Sequence, residues 1–84
     1  MNKELALTSL ATMYRYRAMY RKFADLSKYD DPEQAKVYAR LARLGSKKIR
    51  EAEAHGIVNL AELLPVKRQA EAEGERNALT EYFS

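Results

Sequence analysis

Eighty-four residues of which 46% are hydrophobic make one small domain, near the size at which an isolated core is only marginally sufficient. The lack of cysteine excludes a disulfide framework and a thiolate metal site, and no stretch reads as a signal peptide or a membrane span, so the expectation is a cytoplasmic protein with no membrane role. The net charge of +3 is unevenly divided: residues 1–50 hold 12 Lys/Arg and 5 Asp/Glu, giving +7, whereas residues 51–84 hold 3 and 7, giving −4. This asymmetry predicts a basic half suited to an acidic partner and an acidic tail that can screen it.

Few β-branched residues and no sustained period-two alternation predict an all-α fold. The first helix is predicted over residues 3–28, with Asn2 as its cap. At roughly 100° per residue, Leu5, Met13, Tyr16, Met19, Tyr20, Phe23 and Leu26 share one broad arc, the predicted core face. Leu7 and Leu10 lie outside that arc and predict an additional contact.

The second helix start is the clearest local signal. In "DDPEQ", Asp31 takes the N-cap, Pro32 the first helical position and Gln34 the third, and proline loses nothing where no intrahelical donor is needed. This helix is predicted to run to residue 55 and end at Gly56 in the left-handed conformation. Its apolar arc comprises Val37, Tyr38, Leu41, Leu44, Ile49 and Ala52, with Gly45 in the middle, where it lets a neighbour approach. The short link "SKYD" predicts that the two rods fold back as an antiparallel helical hairpin.

A third start lies in "VNLAEL", where Asn59 and Glu62 have capping-box spacing and Val58 and Leu63 form a staple. Pro65 predicts a limit or kink to that helix. Residues 65–84, interrupted by Gly74 and only weakly striped, are predicted to form an acidic arm apart from a core at 1–64, helical only where it docks, with Leu79, Tyr82 and Phe83 as anchors. Two long helices with a short third element leave wide apolar arcs uncovered, which predicts a homodimer whose hairpins form a bundle.

The stretch "YRYRAMYRK", residues 14–22, is predicted to divide between an inward set of Tyr16, Met19 and Tyr20 and an outward fan of Arg15, Arg17, Arg21 and Lys22. Tyr14 falls within the fan and is a candidate for stacking on bases. In the second helix, Lys36, Arg40, Arg43, Lys47 and Arg50 recur at spacings of four, three, four and three. They form one straight basic ridge of about 21 Å by helical rise. Like charges so spaced destabilise a helix by a few tenths of a kcal/mol per pair, so a compensating polyanion, the acidic residues Glu71, Glu73 and Glu75, or simple solvation must be weighed.

Other chemistry has no support in the pattern. "RLGSKK" lacks the preceding strand, upstream glycine and Gly-Lys-Ser/Thr order of a phosphate loop. A carboxylate-bridged di-iron bundle needs Glu-x-x-His, but Glu51, Glu53 and His55 have the wrong spacing, and His55 suits the negative end of its helix. Ser9 and Ser46 have no histidine and carboxylate in pattern, so no catalytic residue, metal or cofactor is assigned. The leading expectation is a non-enzymatic protein that binds nucleic acid or another polyanion through Lys36, Arg40, Arg43, Lys47 and Arg50, extended by Arg15, Arg17, Arg21 and Lys22. The rival is a protein–protein adaptor, inhibitor or accessory subunit that docks a protein partner through its apolar faces and Leu79, Tyr82 and Phe83.

Overall fold

In the computed structural model of the chain, which describes residues 3–27, 32–56 and 58–84, three α-helices and no strand are present among the described residues: α1 (Lys3–Ser27), α2 (Pro32–Ala54) and α3 (Leu60–Tyr82). The expected caps Asn2 and Asp31 and most of the "SKYD" link lie outside the described residues. Gly56 follows α2 with φ +68°, the only positive φ among them. The chain turns there because glycine enters the left-handed region without a Cβ penalty. Asn59 then caps α3, its Oδ1 accepting from the Glu62 N–H at 2.9 Å. Val58 and Leu63 on either side of the cap are 4% and 1% exposed and belong to the same core cluster, as a staple requires.

The largest departure from expectation is α3 itself. It does not stop or give way to a tail at Pro65 but runs for 23 residues with that proline inside it. A proline after the first turn removes one helical hydrogen bond and costs roughly 3 kcal/mol. Pro65 and Ala61, the residue whose carbonyl loses its partner, are both exposed, so water can satisfy that oxygen. What offsets the rest is docking: Leu63, Ala70, Gly74 and Ala78 are buried along the inner side of α3.

Helix α1 is the central element, with α2 and α3 both packing on it and far less on one another. Its fully buried residues are Ala6, Leu10, Tyr14 and Ala18, at an unbroken spacing of four. The predicted arc of larger residues is only partly used. Leu5 and Tyr16 are 59% and 44% exposed, while Met13, Met19, Tyr20, Phe23 and Leu26 are half-buried. The reason is geometric: a helix flanked on two sides buries most deeply the residues between its neighbours, here Leu10 and Tyr14, with Ala18 where α3 comes closest at Gly74. Leu10 does make the additional contact expected of it, but the element that packs on this side of α1 is α3 of the same chain.

Contacts between α1 and α3 advance in the same chain order. Arg15 and Ala18 meet Gly74, and the Tyr82 hydroxyl donates to the Leu26 carbonyl at 3.3 Å. The fit at Gly74 is tight: a Cβ there would collide with the Arg15 carbonyl oxygen and lie 3.1 Å from the Ala18 Cβ. Against α2, Tyr38 stacks on Tyr20 and Phe23 with centroids 6.1 and 5.1 Å away, and Gly45 lies beside Met13 and Arg17. Of the predicted α2 arc only Ile49 is fully buried; Val37, Leu41 and Leu44 are 47%, 37% and 53% exposed.

Candidate functional site

The predicted site cations lie on two helices, and their surroundings differ. On α1, Arg17 lies in the angle between α2 and α3, where Nη1 donates to the Ser46 hydroxyl at 3.3 Å and Nη2 pairs with Glu71 at 2.8 Å. Its guanidinium carbon sits 5.0 Å from the Tyr14 ring centroid, its side chain is only 12% exposed, and Nε is buried without a hydrogen-bond partner. Arg15 pairs with Glu73 at 3.8 Å and lies 5.7 Å from the centre of the Tyr16 ring. The acidic residues of α3 thus screen α1 rather than α2. Arg21 is exposed and Lys22 half-buried, neither with an ion pair among the described residues.

Tyr14 is not the surface residue its basic neighbours implied. It is 2% exposed and belongs to the core cluster. Burial pushes its phenol up from the usual value; the Glu53 charge adds to this, Arg17 opposes it, and Glu71 and a hydrogen bond to Glu53 raise it further. A side chain so enclosed cannot stack on a base. Sequence spacing alone places the whole α1 fan outward; the presence of α3 turns part of it inward.

On α2 the five predicted residues are arranged quite differently. Lys36, Arg40, Arg43, Lys47 and Arg50 are all exposed, on the side of the helix opposite the one that meets α1 through Tyr38, Gly45 and Ile49 at roughly 100° per residue. Lys36 pairs with Glu33 at 3.3 Å in a strongly exposed contact. No carboxylate among the described residues pairs with Arg40, Arg43, Lys47 or Arg50. Exposed pairs such as Lys36–Glu33 contribute less than about 1 kcal/mol, so even that lysine is available to an anion.

At the far end of α3, Tyr82 and Phe83 pack edge to face with centroids 5.0 Å apart. Phe83 is 73% exposed, and Leu79 and Tyr82 are each 37% exposed. A shallow cleft of about 290 Å³ between α1 and α3 is lined by Leu7, Ala11, Val66 and Ala70 with the Arg15–Glu73 pair at its rim. It falls just below the roughly 300–1,000 Å³ typical of small-molecule sites, and of its polar lining, Thr8, Arg15, Gln69 and Glu73, the two charged residues pair with each other. Among the described residues no cluster of three metal-ligating side chains occurs, and no helix is long and apolar enough to cross a membrane. Compared with protein-family models, curated proteins and solved structures, the chain matches none.

Proposed function

We propose that the protein is a non-enzymatic binder of nucleic acid or a similar polyanion, and that it binds through the outward ridge of α2. One observation carries this reading: four consecutive ridge cations, Arg40, Arg43, Lys47 and Arg50, are exposed with no carboxylate partner among the described residues. The like-charge cost along the helix is then relieved only by solvent or by an external anion. A straight row of cations follows a phosphate backbone without reading bases. The reading takes α1 and α2 as an antiparallel hairpin, supported by Tyr38 meeting Tyr20 and Phe23 while Gly45 meets Met13 and Arg17. Arg17 is held by Glu71 and Ser46 and takes no part in this surface; Arg15, Arg21 and Lys22 sit on α1, from which the ridge faces away, and add to the basic character of the chain without being continuous with the ridge.

The test is fluorescence anisotropy with labelled oligonucleotides at several salt concentrations. Binding weakens steeply from about 50 to about 200 mM salt, with a log–log slope of roughly −0.7 to −0.9 for each phosphate neutralised. The Arg40→Glu/Arg43→Glu double substitution lowers affinity more than about tenfold and flattens that slope. Affinity indifferent to salt, or retained by the double variant, refutes the reading.

A second reading, a small adaptor or accessory subunit that docks on a larger protein, is favoured by the 73% exposure of Phe83 beside Tyr82. Phe83→Ser, which disturbs no buried residue, discriminates the two: it abolishes capture of a protein partner under the second reading and leaves oligonucleotide binding unchanged under the first.

A further inference from the structure

The cations of α2 are only half of what that helix offers to solvent. Val37, Leu41 and Leu44 recur at spacings of four and three and are 47%, 37% and 53% exposed. By helical projection their stripe is centred roughly 105° around α2 from the centre of the ridge, which on a helix about 10–12 Å across separates the two lines by some 9 Å. Tyr16 of α1 lies alongside. Its ring stacks on Tyr20 at 5.9 Å, Tyr20 stacks on Tyr38 of α2 at 6.1 Å, and Tyr16 itself is 44% exposed. An uncovered apolar band of this kind marks an interaction surface, and here it runs directly beside a row of free positive charge.

We propose that this band seats the bases of a single-stranded nucleic acid whose phosphates lie on Arg40, Arg43 and Lys47. The inference rests on the ridge reading and sharpens it to one ligand class. A duplex presents phosphates outward and keeps its base faces stacked inside, so Val37, Leu41, Leu44 and Tyr16 would meet nothing apolar. An unpaired strand exposes both parts of every nucleotide, charge on one edge and a flat apolar face on the other. The separation between ridge and band is one that a single nucleotide spans from phosphate to base. A second copy of the chain fits less well, because joining two bands would bring two unscreened cation rows alongside each other. The ligand must therefore carry the opposite sign.

The experiment compares a labelled oligouridine strand with a duplex of equal length. It uses the full chain, the Leu41→Ser/Leu44→Ser variant and the Arg40→Glu/Arg43→Glu variant, and measures the mass of each protein without nucleic acid. Both pairs of sites are exposed, and a thermal melt confirms that the variants stay folded. The strand is expected to bind at least about tenfold more tightly than the duplex. The serine variant is expected to lose about tenfold or more of strand affinity, with its duplex affinity and salt slope unchanged, while the glutamate variant loses both ligands. Equal affinity for strand and duplex, or a serine variant that binds the strand like the parent, overturns this inference and leaves the ridge reading standing. Failure of the parent chain to bind either ligand overturns both. A parent dimer that the serine substitutions convert to a monomer assigns the band to a second copy and overturns the single-strand proposal.

Discussion

Gly45 and Gly74 each sit on an outer helix and face the central one, yet they belong to different kinds of interface. At Gly45 an added Cβ would find the Arg17 Cβ at 3.6 Å and the Met13 carbonyl at 3.8 Å, ordinary contact distances. At Gly74 it would strike the Arg15 carbonyl oxygen, which belongs to the backbone and cannot swing aside. The α1–α3 seam is a backbone-to-backbone approach lined by Ala18, Ala70, Gly74 and Ala78. The α1–α2 seam is held by stacked rings, Tyr16, Tyr20, Tyr38 and Phe23, and leaves its outer edge open. One seam gains stability from close dispersion contact and the exclusion of water. The other trades part of that for exposed aromatic and aliphatic surface, and Arg40, Arg43, Lys47 and Arg50, which pair with no carboxylate among the described residues, lie on its outer helix, α2.

Substitution at the two seams makes the contrast measurable. Gly74→Ala is expected to cost about 3 kcal/mol or more, because relieving a clash with backbone requires α3 to move as a unit, and a thermal melt followed by circular dichroism reads the loss. A melting temperature within a degree of the parent would break the comparison. Next in size is Arg17→Met, which keeps an apolar stem but strands Glu71 and Ser46; the expected loss is about 1–3 kcal/mol. Arg43→Met on the ridge is expected to stay within about 0.5 kcal/mol. Equal effects at the two arginines would mean that the ridge carries internal structure rather than waiting for a ligand. Gly45→Ala is expected to be neutral or to stabilise by up to about 1 kcal/mol, since helix propensity improves and the methyl has room.

The last comparison is one of pH dependence and concerns Tyr14. Its phenol has a raised value in the folded chain against an ordinary value of 10.0. The unfolded chain therefore releases this proton first as pH rises, and stability that is fully present below about pH 10 declines through the folded value. Tyr14→Phe is expected to flatten that alkaline decline in urea melts. An alkaline decline unchanged from the parent would assign it to another group.

Much of the local structure was legible because it depends on near neighbours. Pro32 starts α2, Asn59 caps α3 through Glu62, and Gly56 turns the chain at positive φ, each through backbone groups only a few residues apart. The ridge was legible too, since a cation row opposite an apolar arc is a property of one helix. What escaped was decided by distance along the chain. Ala6, Leu10, Tyr14 and Ala18 are spaced by four, as are Ala70, Gly74 and Ala78; the matched spacing, with small residues throughout the second row, is the signal for the closest seam. A solitary helix would instead bury its larger residues, such as Leu5 and Tyr16, which here stay exposed.

The amino-acid order by itself determined that the chain is helical, where α2 and α3 begin, and which side of α2 carries its charge, because helix period, caps and proline act over a few residues. Only the tertiary structure decided that α3 continues through Pro65, that Tyr14 and Arg17 turn inward, and that Leu41 and Leu44 remain exposed. The physical reason is that burial is a relation between helices. The dispersion and desolvation terms that override a proline or enclose a tyrosine exist only once α3 has docked on α1.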